Sequence, residues 1–314
     1  MSARMGTVVI GGGTGFIGSA LSSLLKRNGY SVILVSRMPG PQRLSWTDLA
    51  NEGLPKDCKA VVNLAGQNVL DPTRRWTPGF KQNVWSSRVH TNKALAKAIT
   101  AADKKPEVFV TVSGVGYYKP SLTEEYTEDS PGGNFDFLSN LCTEWEAAAK
   151  LPAEIESSVR RVVIRSGIVL GRGGGMIQQL YIPFWFGLGG PVGSGLQPLP
   201  WIHITDMARL FHFAIEGKEN KNLQGIFNGV APNVVSNKDF TKSFASALRR
   251  PAFIPVPLFA LNIAFGEERA KIMTEGQNVK PKRALEMGFR FLYPDIDSAC
   301  KAIVGVKKHE EDPL

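Results

Sequence analysis

Eight residues near the start of the chain, Gly11-Gly12-Gly13-Thr14-Gly15-Phe16-Ile17-Gly18, stand between a β-branched run, Thr7-Val8-Val9-Ile10, and a helical stripe. In the stripe, Ile17, Ala20, Leu21, Leu24 and Leu25 recur at i, i+3, i+4, i+7 and i+8, and Gly29 follows where a helix C-terminus favours glycine. The order is therefore strand, glycine turn, helix. Two spacings are satisfied at once, Gly13-x-Gly15-x-x-Gly18 and Gly12-x-x-Gly15-x-x-Gly18. Glycine is needed there because the turn is tight, the backbone must approach a pyrophosphate closely, and the helix must pack on the strand. The helix N-terminus then offers free N–H groups and the positive end of its dipole to the phosphates. Gly12, Thr14, Gly15, Phe16, Ile17 and Gly18 are accordingly expected to bind a dinucleotide. A merely flexible loop is the alternative, and the strand and helix on either side weigh against it.

The same alternation continues through the first 170 residues. Strand-like runs at Val32 to Val35, Ala60 to Leu64, Val108 to Val112 and Val162 to Ile164 are separated by helical patterns, notably about Lys81 to Thr100 and Phe137 to Lys150. Such spacing predicts βαβ units and a parallel sheet covered on both faces. From Gly171 to Trp201 the composition shifts to Gly, Pro and large apolar residues, including Tyr181-Ile182-Pro183-Phe184-Trp185-Phe186. That composition suits a substrate lobe, and inter-lobe packing equally well. Ala284 to Phe291 and Ile296 to Val304 read as a last helix-rich piece, and the polar tail Lys307 to Leu314 as disordered. The expected class is α/β: a Rossmann-like doubly wound parallel sheet with a smaller C-terminal substrate lobe. Residues 1–170, with a returning segment at 202–230, form the cofactor domain, and 171–201 with 231–314 form the lobe.

A dinucleotide with a free ribose 2′-hydroxyl calls for Asp or Glu at the end of the second strand. Here the strand ends Val35-Ser36-Arg37. A hydroxyl and a guanidinium suit a 2′-phosphate, which Arg grips with charge-assisted bonds, so NADP is expected rather than NAD. The alternative leaves Arg37 as a solvated loop charge.

Charge narrows the partners. Lys plus Arg exceed Asp plus Glu by 37 to 28, a net +9, yet the basic residues occur as scattered pairs such as Arg74-Arg75, Arg160-Arg161 and Arg249-Arg250. Nucleic acid or an acidic membrane would require them gathered into a stripe, so neither is an expected partner. No stretch approaches the 18 apolar residues of a membrane span, and the four histidines join no cysteine cluster at metal-ligand spacing, so no metal is expected. Three dispersed cysteines, Cys58, Cys142 and Cys300, argue against a disulfide framework. The first strand begins almost at once, with no room for a secretory leader. An intracellular, cytoplasmic location is expected, with an organelle left open.

Taken together, these pieces resemble the extended and atypical short-chain dehydrogenase/reductases, and more narrowly the epimerase family group designated family 39U. The resemblance runs over nearly the whole chain: the glycine turn, Leu34-Val35-Ser36-Arg37, Val62-Asn63-Leu64-Ala65-Gly66, Arg74-Arg75-Trp76, Ser87-Arg88, Ser113 to Tyr118, Trp145-Glu146-Ala147-Ala148, Arg165 to Gly171, Trp201 to Asp206 and Gly288 to Phe291. It implies that Leu64 and Ala65 lie beside the adenosine, that Asn83 and Arg88 face the cofactor from the next helix, and that the segment around Val169 closes over the nicotinamide. Sheet core for Leu64 and Ala65, and a helix cap or ion pair for Arg88, are the plainer readings.

Hydride-transferring members of this superfamily use a serine and a Tyr-x-x-x-Lys pair, in which the lysine lowers the tyrosine's pKa and the phenol exchanges a proton with substrate. None of the six tyrosines here has Lys four residues on. Aligned on Trp145-Glu146, the helix offers Leu138 and Cys142, or after a one-residue slip Phe137 and Leu141. Ser113 matches the family serine, and alone it exchanges only a hydrogen bond; satisfying backbone at a strand end is its plainer role. His203 with Asp206 could form a base and its orienter, against a core histidine as the simpler reading. Two functions follow. One is an NADP-dependent oxidoreductase, epimerase-like and acting on an unidentified small molecule. The other is a non-catalytic NADP(H)-binding or redox-sensing protein working through a protein partner.

Overall fold

The computed structural model describes residues 5–38, 40–71, 73–217 and 223–305, so the expected tail from Lys307 lies outside the described residues. In chain order the first half comprises β1 (Thr7–Gly11), α1 (Phe16–Arg27), β2 (Ser31–Ser36), β3 (Arg43–Ser45), α2 (Trp46–Glu52), β4 (Cys58–Asn63), α3 (Pro78–Ala101), β5 (Val108–Gly114), β6 (Glu125–Tyr126) and α4 (Phe137–Ala147). Then come α5 (Ala153–Glu156), β7 (Arg160–Ser166), β8 (Ile168–Leu170), α6 (Gly175–Trp185), β9 (Pro198–Leu199), β10 (Trp201–His203), α7 (Ile204–Glu216) and β11 (Gly225–Gly229). The chain continues through β12 (Val235–Ser236), α8 (Asn237–Leu248), α9 (Leu258–Phe265), α10 (Glu267–Thr274), β13 (Asn278–Val279), α11 (Lys282–Glu286) and α12 (Ile296–Gly305).

Seven strands form one sheet in the order β11-β7-β5-β4-β1-β2-β3, every pairing parallel. The strands are apolar at nearly every position because both faces are covered. Val8, Ile10, Val62, Val110 and Ile164 face Leu21, Leu25, Leu210 and Phe211 of α1 and α7. Val9, Val35, Val61 and Phe109 face Leu49, Leu95 and Ile99 of α2 and α3. Strand order switches sides at β1, with β2 and β3 added on one side and β4, β5, β7 and β11 on the other. The carboxyl end of β1 is therefore the switch point where doubly wound sheets bind ligands, and the glycine turn sits on it.

A second core belongs to the smaller lobe, where Phe184 of α6 meets Phe240 and Phe244 of α8, with Trp201, Ala299 and Ile303 closing it. β8 leaves the sheet after β7 and pairs with β10 instead. The segment from α7 to β11 returns to the sheet. Ala284 and Phe289 do so too: assigned on sequence pattern to the lobe, they are buried in the sheet's core, where α11 packs on β11.

A candidate dinucleotide site beside a closed hydrogen-bond chain

Backbone contacts explain the glycines. Gly12 takes φ +74°, and a Cβ there would lie 2.6 Å from the backbone of Leu64 and Ala65. At Gly18 a Cβ would come within 2.5 Å of the Gly12 carbonyl oxygen, so the helix could not sit down on the turn. Gly15 differs: a Cβ would meet only the Gly12 oxygen, at 3.3 Å, and both Thr14 and Gly15 are exposed. Gly15 is also the N-cap of α1 without any side-chain cap, which leaves the first helical N–H groups facing outward for a phosphate.

At the end of β2, Ser36 Oγ donates to the Met38 carbonyl at 2.5 Å and accepts the Met38 N–H at 3.3 Å, which fixes the turn that presents Arg37. Arg37 is exposed and forms no ion pair among the described residues. Pairing of β3 with β2 sets Arg43 opposite Leu34, a second exposed guanidinium on the same edge that sequence reasoning did not single out.

The loop after β4 is locked by Asn63. Its Oδ1 accepts the Ala65 N–H at 3.1 Å, while its Nδ2 donates to Asn92 Oδ1 at 2.6 Å, and Asn92 donates to the Trp145 carbonyl. Leu64 N–H reaches the Gly11 carbonyl at 2.8 Å, so Leu64 and Ala65 abut the glycine turn. Arg88 on α3 is buried beside Gly66, its guanidinium 4.9 Å from the centre of the Trp145 ring. It donates to the Val84 carbonyl, and burial pulls its pKa down to about 10. Asn83 is exposed about one and a half turns earlier on α3, on a different face. Val169 lies in β8 opposite Ile202, partly buried against the sheet's core.

Ser113, at the end of β5, is already engaged. Its Oγ donates to Glu146 Oε1 at 2.6 Å, and the same carboxylate receives Nε and Nη2 of Arg165, both at 2.8 Å. The remaining Arg165 nitrogen donates to the Tyr118 hydroxyl, which donates to Asn228 Oδ1, each at 2.9 Å. Tyr117 lies beneath the guanidinium, 3.4 Å from ring centre to Cζ. Burial, outweighing the nearby guanidinium, holds the Tyr118 phenol above its ordinary pKa and keeps it neutral. Leu138 packs at Gly116 and Cys142 at Gly114, beside the strand end where the superfamily pair would act. Burial pushes the Cys142 thiol up to about 12, so no thiolate forms there.

His203 and Asp206 do not form a base–orienter pair. His203 Nδ1 accepts the Thr205 N–H, and the Asp206 carboxylate receives N–H bonds from Leu292 and Tyr293 and an ion pair from Arg209. Among the described residues no group of three or more His, Cys, Asp or Glu side chains could hold a metal, and no helix is long and apolar enough to cross a membrane. All three cysteines are free and buried. Sequence reasoning missed the roles of Glu146, Arg165 and Asn228. The Trp145-Glu146 pair was visible, but its link to Arg165 needed the β5–β7 register, which sets Ser113 opposite Arg165.

Residues 8–155 match the NAD dependent epimerase/dehydratase family, and residues 256–303 match a domain of unknown function, DUF1731. The chain is 53% identical to the bovine epimerase family protein SDR39U1, over 95% of this chain and 99% of the relative. It is 34% identical to epimerase family protein YfhF of Bacillus subtilis (strain 168), over 96% and 99%. The crystal structure of human epimerase family protein SDR39U1 (isoform 2), solved with NADPH, superposes with a TM-score of 0.91 at 52% identity, covering 95% of this chain and 99% of that one. The chain thus belongs to the epimerase family of atypical short-chain dehydrogenase/reductases, alongside the SDR39U1 proteins.

Proposed function

We propose that this chain binds NADP(H) across the carboxyl ends of β1, β2 and β4, in preference to NAD(H). The observation that carries this reading is the pairing of an uncapped, sterically cleared α1 N-terminus with Arg37 at the end of β2. The human relative solved with NADPH supports it. Phosphates sit on the Thr14 to Ile17 backbone, the 2′-phosphate on Ser36 and Arg37, the adenosine against Leu64 and Ala65, and Asn83, Arg88 and Val169 flank the rest. Replacing Arg37 by Ala removes one charge-assisted grip, so NADPH affinity in a fluorescence titration falls about tenfold while NADH affinity stays unchanged. Equal losses for both cofactors would defeat the assignment.

For the use of the bound cofactor, the Ser113–Glu146 bond favours the non-catalytic reading over the oxidoreductase one. A serine that donates to a carboxylate held bidentately by a buried arginine has no proton to offer a substrate, and no Tyr-Lys pair replaces it. The cofactor then acts by preferring one state of the protein, which a partner reads. Single-turnover mixing of the NADPH complex with a panel of aldehydes, ketones and enones tests this. Retained absorbance of the reduced nicotinamide is expected; oxidation would restore the oxidoreductase reading, and if it survived Ser113→Ala, by another proton route.

A further inference from the structure

A cavity of about 490 Å³ opens on the far side of the glycine turn, between α1, α7, α12 and the start of α6. That volume is in the range of small-molecule sites. Thr14, Gly15 and Phe16 form one end of it, whereas Ser36, Arg37, Leu64, Ala65, Asn83 and Arg88 take no part in its walls. The Phe16 ring packs against the glycine segment after β8: a Cβ at Gly171 or Gly174 would come within 2.8 or 2.6 Å of it.

Three helices begin at this cavity. α1 and α6 start there from Gly15 and Gly174, neither with a side-chain cap, and α7 starts there from His203. The first turns of all three carry positive dipole ends, Arg172 adds positive charge whereas that of Arg209 is matched by Asp206, and no acidic side chain lines the cavity among the described residues. The nearby Asp206 is fully buried, and its oxygens are taken by Arg209 and by the N–H groups of Leu292 and Tyr293.

His203 supplies an independent sign of a ligand. It is 6% exposed and its ring packs against Tyr293 at a tilt, with centroids 4.0 Å apart. Since Nδ1 accepts the Thr205 N–H, the ring proton resides on Nε2, which has no hydrogen-bond partner among the described residues. Nε2 is thus open to the cavity, where an acceptor on a ligand can take its hydrogen bond. Ala20, Leu24, Ala302 and Ile303 make the opposite wall apolar.

We propose that this cavity is a second ligand site, for a small molecule that carries a phosphate group on an apolar body and is bound alongside the dinucleotide. The phosphate faces the start of α6 and His203 Nε2, and the apolar part lies along α1 and α12. Because Thr14, Gly15 and Phe16 belong to both walls, occupation of one site alters affinity at the other, reciprocally. The site stands whether or not the cofactor is turned over.

Inorganic phosphate is the probe, followed by the imidazole ¹⁵N resonances of His203 with and without NADPH. Saturation with phosphate is expected to move the Nε2 resonance. Ser19→Glu, at an exposed position in the first turn of α1 where an acid favours the helix, places a carboxylate in the cavity and should weaken phosphate binding about tenfold. Arg37→Ala, at the other end of the dinucleotide site, should leave that binding unchanged, and the His203 shift should persist with NADPH bound, when the dinucleotide's phosphates already occupy the α1 N-terminus. An unmoved His203 resonance, equal phosphate affinity in Ser19→Glu, or loss in Arg37→Ala alone would overturn the proposal, the last by placing the anion at the dinucleotide site.

Discussion

A methyl group at Gly18 would sit 2.5 Å from the Gly12 carbonyl oxygen and 2.6 Å from the Gly13 Cα, both backbone atoms with no rotamer to retreat into. At Gly15 the same methyl meets one atom at 3.3 Å and otherwise points outward. The two glycines therefore separate folding from binding. Gly18→Ala should lower unfolding free energy by about 1–3 kcal/mol in urea melts. Gly15→Ala should leave the melt nearly unchanged and weaken NADPH, because its methyl occupies the ground a phosphate needs. A Gly15→Ala protein with full affinity would mean the phosphates lie elsewhere. His203 allows a second test at this scale. Burial depresses its pKa from 6.5 to about 4, so between those values the unfolded chain binds the extra proton and the folded one does not. Its contribution is complete above about pH 6.5 and is lost as pH falls towards 4, about 3 kcal/mol in all. His203→Asn, which keeps an acceptor for the Thr205 N–H, should flatten that part of the stability profile relative to the parent; an unchanged slope would show that His203 is not the group titrating.

Among the elements, those with a single period were legible and those fixed by distant partners were not. The stripe from Ile17 to Leu25 marks α1, and the runs around Val9, Ile33, Val62, Val110 and Val163 mark sheet strands, because each buries a face that its own pattern announces. The Gly- and Pro-rich stretch concealed α6, which runs from Gly175 to Trp185 with Pro183 inside it and is held by Phe244 of α8. In the candidate site, the glycine turn and the exposed Arg37 could be read locally, whereas Ser113's partner lies 33 residues away and Arg165's partners come from α4 and from Tyr118 beyond β5, which in turn reaches Asn228 of β11. Arg269 of α10 is the plainest case of an unannounced role. It is 1% exposed and donates to the carbonyls of Val69, Asp71 and Arg74, against the rings of Trp76, Phe80 and Phe265. That fork ties α10 to the loop between β4 and α3. Arg269→Met keeps the stem and strands three carbonyls, so stability should fall by about 2–4 kcal/mol and amide exchange across Asn68 to Trp76 should quicken. Arg269→Lys, a point donor without the fork, should recover only part; full recovery would reduce the role of Arg269 to its charge.

In the whole molecule, two cores share one chain that crosses between them repeatedly. β7 runs from the sheet into β8 of the lobe, β10 of the lobe runs straight into α7 on the sheet, β11 leads back to β12, and Ala284 and Phe289 return to the sheet's core before α12 closes the lobe. Trp201 fastens the second core further, its Nε1 donating to the Asn233 carbonyl. Crossings this frequent leave neither core a boundary at which to part, so the described chain should unfold as one cooperative unit despite having two apolar clusters. On the proposed placement, with the dinucleotide on the sheet side next to β8, its binding should then stabilise both cores together. At a free NADPH concentration about 100 times its dissociation constant, the linkage amounts to about 2.7 kcal/mol. Amide exchange at Phe240 and Phe244 of the lobe, and far-ultraviolet dichroism, weighted to the sheet and its helices, should report a stabilisation of that same size. If NADPH moved only the dichroism transition, the lobe would be an independent folding unit, and a cofactor signal carried from the glycine turn to a partner on the lobe would have no mechanical path.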